Sequence, residues 1–225
     1  MRTEIAGRTC AFDCCGTGGP VIWWGIHEQE NSEKTMELLR RGAGKRSYFL
    51  IAYPVKDWNR EFSPWAAPSL QKQMEFEGGG RETLRWLREE AVPQVEKEYF
   101  QGKKQMHMLA GYSLAGLFSL WALCESTDFC GAACCSASLW YPGWEKYAAE
   151  HRAAKGSRIY LSLGTKEEKT RNPVMARVGE AVREQYRRLS RDPQVADCVL
   201  EWNAGGHFSN PEGRTARGIL WLLSE

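Results

Sequence analysis

The stretch Met106-His107-Met108-Leu109-Ala110-Gly111-Tyr112-Ser113-Leu114-Ala115-Gly116-Leu117 decides how this chain is read. An apolar run, Met106 to Ala110, has the length and composition of a buried strand, and Leu114 to Leu123 reads as a helix packed back onto it. Between them, Gly111-x-Ser113-x-Ala115 matches the sharp strand-to-helix elbow that exposes a serine nucleophile. That elbow is strained, and a Cβ at its flanking positions would collide with backbone; Gly111 meets the demand and Ala115 nearly does. In a chain with 22 glycines such a match carries little weight alone, and a serine at a helix start is otherwise an ordinary cap. The strand before it and the helix after it are what give it weight.

Outward from the elbow, short apolar runs alternate with longer amphipathic stretches, the pattern of strand-helix-strand units in a mostly parallel sheet with helices on both faces. The strands are expected at Val21 to Trp24, Tyr48 to Tyr53, Met106 to Ala110, Gly131 to Cys135, Ile159 to Leu163 and Cys198 to Trp202, with Cys10 to Cys14 as an added edge strand. Helices are expected over Thr83 to Glu98, kinked at Pro93, over Pro173 to Leu189 with Asn172 as N-cap, and over Arg214 to Leu223. Lys56 to Gly80, rich in Pro, Gly and aromatics, shows no period; a loop of that length in a small domain usually shapes a site. No repeat or linker divides the chain, and residues 1–225 are expected to form one domain.

Thirty Lys and Arg stand against 28 Asp and Glu, a formal charge of +2, and the two signs are interspersed. No basic stripe calls for nucleic acid and none calls for an anionic membrane. The N-terminus has no apolar core of a secretory signal, and no run of 18 apolar residues occurs, so the expected location is the cytoplasm. There the eight cysteines, four of them in two adjacent pairs (Cys14-Cys15 and Cys134-Cys135), act as small hydrophobes rather than disulfides. No C-x-x-C or H-x-x-x-H spacing marks a zinc site, and neither a metal nor an organic cofactor is expected.

A serine hydroxyl needs a base to remove its proton during attack. Of four histidines, His27 precedes an early helix, His107 lies inside the elbow strand and His151 sits in a charged helix end. His207, in Gly205-Gly206-His207-Phe208, follows the last strand on a glycine hinge and can reach the carboxyl edge of the sheet, where open α/β folds bind ligands. The acid that orients this imidazole should fall between serine and histidine. Gly164-Thr165-Lys166-Glu167-Glu168 ends the only strand in that interval with an acid after it; Glu167 is the expected acid, with Glu168 as its rival. The oxyanion formed on attack needs two backbone donors. The N–H of Leu114 is one, and Ile26, just after Gly25 at the end of the early strand, is the expected second.

Gly111-Tyr112-Ser113-Leu114-Ala115-Gly116, Glu90-Ala91-Val92-Pro93-Gln94-Val95-Glu96-Lys97-Glu98-Tyr99 and Gly205-Gly206-His207 together resemble the esterase family that includes esterase D, siderophore esterases, feruloyl esterases and mycolyltransferases. The resemblance covers most of the chain. It implies an α/β-hydrolase fold without a large lid domain and a Ser113–Glu167–His207 triad. The oxyanion donor after a glycine in mycolyltransferases corresponds to Ile26 after Gly25. Two features depart from the family: Ala115 replaces the commoner glycine, and the chain is shorter than most relatives, so their substrate-binding insertions do not carry over.

Ten tryptophans are many for this length. Trp58, Trp65 and Trp140, with Tyr112 of the elbow, are expected to border the carboxyl edge of the sheet as an apolar or sugar-stacking wall for a small-molecule ester. The expected activity is carboxylic-ester hydrolysis through an acyl-serine. The same elbow also fits an acyltransferase, in which an alcohol replaces water, and the scaffold alone fits a non-catalytic binding module.

Overall fold

The apolar runs form the middle of an eight-stranded sheet in the computed structural model, which describes residues 1–68 and 75–224. In chain order the first half holds β1 (Arg2–Ile5), β2 (Arg8–Cys15), β3 (Val21–His27), α1 (Glu33–Ala43), β4 (Tyr48–Val55), α2 (Trp58–Glu61), β5 (Ala66–Ala67) and β6 (Phe76–Glu77). Then come α3 (Gly80–Trp86), a π-helical turn (Leu87–Ala91), α4 (Val92–Phe100), β7 (His107–Tyr112), α5 (Leu114–Glu125), β8 (Gly131–Cys135) and α6 (Trp144–Glu150). The chain closes with β9 (Ser157–Gly164), 3-10 turns at Glu167–Lys169 and Met175–Arg177, α7 (Val178–Arg191), β10 (Val195–Asn203) and α8 (Pro211–Leu222).

The strand order is β1-β2-β4-β3-β7-β8-β9-β10. Only the β1-β2-β4 side is antiparallel; every pairing from β4 to β10 is parallel. The central strands read as nearly continuous apolar runs because helices cover both of their faces. One face packs Trp23, Leu109, Cys134 and Leu161 against α5 and its neighbours; the other packs Ile22, Trp24, Ala133 and Tyr160 against α1 and α8. Helix α5 is buried from Leu114 to Leu123, so its apolar character runs all the way round. All parallel strands end on the same edge, and the loops that follow β3, β7, β9 and β10 meet there.

Four details differ from the sequence expectations. The segment around Cys10 to Cys14 is not the sheet edge: β1 pairs outside it through a tight hairpin with Ala6 at φ 44° and Gly7 at φ 77°. Four residues, of which only Ile5 is apolar, are too few for a periodic signal, and the two-residue turn that makes them a hairpin is carried by backbone twist. Strand β3 continues to His27, three residues past Trp24. The Thr83–Glu98 helix starts at Gly80 and inserts the π turn just before Pro93, where the missing N–H and the bulk of the ring are absorbed. The Pro173 helix begins only at Val178; the Asn172 side chain instead accepts the N–H groups of Val174 and Met175 and caps the 3-10 turn ahead of it. Within Lys56 to Gly80, α2 and the β5–β6 pair give order, and 69–74 lie outside the described residues.

Candidate active site

Ser113 stands between β7 and α5 at φ 57° and ψ −119°, a backbone region that costs on the order of 1–3 kcal/mol for a residue with a side chain. Three backbone hydrogen bonds pin it: its N–H donates to the Cys135 carbonyl at 3.0 Å, and its carbonyl accepts from Ser138 at 3.0 Å and Leu117 at 3.1 Å. Gly111 is the position with no room for a side chain, since a Cβ there would fall on the Ala115 carbonyl. Ala115 keeps its own Cβ without penalty because it is Gly116 that faces Gly111 and Cys135 closely.

The Ser113 Oγ lies 3.0 Å from His207 Nε2, and His207 Nδ1 lies 2.7 Å from Glu167 Oε2. Three residues from the ends of β7, β9 and β10 are therefore in one continuous line of hydrogen-bond contacts. Glu168, the rival acid, turns outward and pairs with Arg183 at 3.0 Å. Glu167 is buried, and burial by itself raises a carboxyl pKa. Hydrogen bonds from His207, the Ser136 hydroxyl at 2.8 Å and the Gly164 N–H at 2.8 Å outweigh it and hold the carboxyl below its ordinary range. Its ionised form is thus favoured over the protonated one. Gly164 has no side chain because a Cβ would sit 2.5 Å from the Gly205 carbonyl and 2.9 Å from Glu167 Oε1.

Leu114 N–H opens the twelve-residue helix α5 and has no backbone acceptor among the described residues, so it is free for a substrate oxygen. Ile26 differs from expectation. In the β3–β4 register Ile26 pairs with Pro54, and Glu28 N–H donates to the Val55 carbonyl, which turns the N–H groups of Ile26 and Glu28 toward β4. The intervening residue, His27, presents its N–H to the β7 side, where Ser113 lies; among the described residues its one acceptor is Glu30 Oε2, at 3.4 Å. Because β3 runs on to His27, the donor expected at Ile26 is committed to the sheet.

The aromatic candidates separate. Tyr112 does not face a substrate: its hydroxyl donates to the His207 carbonyl at 2.6 Å. Trp65 donates from its indole N–H to the Pro142 carbonyl and packs on Tyr141 and Tyr147. Trp58 packs edge-on against Phe62 beside His27. Trp140 is half-buried and lines a cavity of about 510 Å³ between α6 and α7, none of whose lining residues is Ser113, Glu167 or His207. Sequence reading passed over Phe208, whose ring is 90% exposed and meets His207 edge-on at 5.1 Å, and Ser138, whose Oγ lies 3.2 Å from that of Ser113. The other histidines are elsewhere engaged: His107 accepts from Trp23 and contacts Glu96, and His151 stacks on Tyr147. Among the described residues no cluster of three His, Cys, Asp or Glu side chains is placed to hold a metal ion, and no helix is long and apolar enough to cross a membrane.

A family model described as "Putative esterase" matches residues 16–207, from before β3 to the histidine itself. The chain belongs to this esterase family. Comparison with the curated proteins finds no match. Among solved structures, the esterase is similar to the siderophore hydrolase EstA from Aspergillus nidulans, with a TM-score of 0.78 at 19% identity over 99% of this chain and 93% of that one. It is also similar to the enterobactin hydrolase IroE in complex with DFP, with a TM-score of 0.70 at 14% identity over 100% and 94%. A third is the enterobactin esterase FES from Shigella flexneri, with a TM-score of 0.64 at 17% identity over 96% of this chain and 55% of that one. These likenesses carry the fold, the α/β-hydrolase fold with its mostly parallel sheet, and family membership makes the esterase a carboxylic-ester hydrolase.

Proposed function

We propose that the esterase works as a serine hydrolase in which Ser113, His207 and Glu167 form the catalytic triad and the ester's acyl group passes through Ser113. The observation that carries this reading is the unbroken contact line from Ser113 Oγ through both imidazole nitrogens to Glu167 Oε2. Ser113 Oγ attacks the ester carbonyl while its proton moves to His207 Nε2; the Leu114 and His27 N–H groups donate hydrogen bonds to the oxyanion. The C–O bond to the alcohol then breaks, and His207 returns the proton to the departing oxygen. Water, deprotonated by His207 in turn, attacks the acyl carbonyl; the bond to Ser113 Oγ breaks, His207 returns the proton to that oxygen, and the acid is released. Glu167, held ionised, keeps the Nδ1 proton in place and stabilises the imidazolium. The same reading takes 1–225 as one hydrolase domain, since a single sheet receives strands from Arg2 to Asn203.

For the substrate we propose a siderophore ester. The similar structures are described as siderophore and enterobactin hydrolases, and the exposed Phe208 ring beside His207 offers an apolar or aromatic acyl group a surface to cover. The deciding experiment is labelling by a fluorophosphonate probe together with p-nitrophenyl ester turnover. Ser113→Ala is expected to lose both, with residual turnover below about one thousandth of the parent. Labelling that persists in this variant would place the nucleophile elsewhere.

A further inference from the structure

Arg214 sits in the first turn of α8 with 1% of its surface exposed. A buried cation is costly, and a packed apolar residue is often as stable or more so. The site is worse still for a cation because it faces the positive end of the helix dipole. Stability alone does not account for an arginine here, so its contacts must.

Its Nη1 donates to Glu167 Oε1 at 2.9 Å, to the Ser136 hydroxyl at 3.1 Å and to the Tyr112 hydroxyl at 3.1 Å. Its Nη2 donates to the carbonyls of Ala204 and Gly206, both at 3.0 Å. Two of these acceptors pass the contact on. Ser136 donates to the same Glu167 oxygen, and Tyr112, next to Ser113 in the chain, donates to the His207 carbonyl. One guanidinium therefore touches the loop of the acid, both sides of the turn that carries the base, and the residue before the nucleophile.

We infer that Arg214 is a positioning residue that sets the distance between nucleophile, base and acid: its planar fork fixes the 204–207 turn relative to Glu167 and, through Tyr112, relative to Ser113. It touches neither substrate nor reacting atoms and acts through Glu167 and His207. The inference rests on the proposed triad. A lysine keeps the charge but has a single nitrogen, which cannot serve Glu167 and both carbonyls in the same plane.

The test uses p-nitrophenyl ester kinetics on Arg214→Lys, Arg214→Ala and, as a destabilised control away from the site, Leu39→Ala. Arg214→Lys is expected to fold and to lose about tenfold or more in kcat with KM within about threefold, since misplacement of a catalytic group by an ångström costs up to about 10². Arg214→Ala is expected to lose on the order of 10², and added methylguanidinium should restore at least tenfold of that loss while doing nothing for Leu39→Ala. Folded Arg214→Lys with kcat within threefold of the parent would overturn the inference, as would folded Arg214→Ala that methylguanidinium does not rescue; should the alanine variant not fold, the lysine variant decides alone. Glu167→Gln measured alongside separates the two readings. If it is disabling while Arg214→Lys is not, the triad stands and the positioning role falls; if Glu167→Gln itself is benign, the triad reading has failed first.

Discussion

Replacing Glu167 by Gln perturbs two atoms whose surroundings are opposite. Among the described residues Oε1 receives three donors, the Ser136 hydroxyl, the Gly164 N–H and Arg214 Nη1, whereas Oε2 faces only His207 Nδ1. An amide NH2 cannot occupy the first position without meeting three N–H or O–H groups head-on, so the glutamine oxygen takes it and the NH2 is turned toward Nδ1. There it donates. Nδ1 becomes the acceptor, the ring proton moves to Nε2, and Nε2 then donates to Ser113 Oγ instead of taking its proton. The analogous change in a serine protease lowers kcat about 10⁴-fold, which is about 5.4 kcal/mol of barrier. We expect a loss of 10² to 10⁴ in kcat for p-nitrophenyl ester hydrolysis. Glu167→Gln should be at least as inactive as Glu167→Ala, which removes the orienting group without imposing the wrong tautomer. Arg214 loses its counter-charge but keeps a carbonyl acceptor, so the variant should unfold earlier by less than the roughly 3–5 kcal/mol that breaking a buried pair outright costs. Circular dichroism must show a folded protein before the rate is read. Folded Glu167→Gln with more than a tenth of parental kcat, or a larger loss in Glu168→Gln than in Glu167→Gln, would refute the reasoning; Glu168→Gln should cost less than tenfold.

Two further outcomes follow from the fold. Gly111→Ala drives a Cβ into the Ala115 carbonyl, and because backbone must give way we expect about 3 kcal/mol or more of destabilisation, a fall in Tm of roughly 6–12 °C by thermal melt; an unchanged Tm would mean the elbow is looser than its contacts. His107 is held below its ordinary 6.5, first by burial and then against the pull of Glu96, while Trp23 Nε1 donates to its Nδ1 at 3.0 Å and leaves no place for a second proton. With the folded value below the unfolded one, the unfolded chain binds more protons in that interval, so stability falls as pH drops from about 6.5 toward the folded value. His107→Gln should flatten the decline of Tm between pH 7 and 5, and equal slopes in both proteins would contradict the assignment.

The sequence carries the local parts of this arrangement and not the distant ones. Gly111-x-Ser113 announces itself because a strained turn excludes side chains, and the Gly205-Gly206-His207 hinge because it follows a run of strand residues. Glu167 was separable from Glu168 only by which side of a 3-10 turn faces the sheet, a matter of one residue's rotation. Ile26 shows the opposite limit. Alternate residues of a parallel strand face opposite neighbours, so the N–H that points to the β7 side is that of His27 and not that of Ile26, and apolar composition does not say where pairing stops. Arg214 was legible only as an arginine at the start of the last helix, where the dipole does not favour it. That mismatch is the one trace it leaves in the sequence, for its partners at Tyr112, Ser136 and Glu167 are 102, 78 and 47 residues away.

The distances among the three residues are secured by unequal means. β9 and β10 are neighbours, and two backbone hydrogen bonds continue their pairing beyond the sheet, Thr165 N–H to the Asn203 carbonyl and Lys166 N–H to the Gly205 carbonyl. The Glu167 and His207 loops are thereby joined by main chain as well as by the Arg214 fork, so a single side-chain substitution should move them relative to each other less than it moves either relative to Ser113. Ser113 hangs from β7, which is separated from β10 by β8 and β9, about 14 Å at ordinary strand spacing. Backbone hydrogen bonds link Ser113 to Cys135 at the end of β8 and to Ser138 beyond it, but they do not reach the 204–207 turn. That span is closed by side chains, Tyr112 to the His207 carbonyl and Arg214 to Tyr112 and to the turn. The Ser113–His207 distance is consequently the dimension of the site most open to single substitutions, and the His207–Glu167 distance the least.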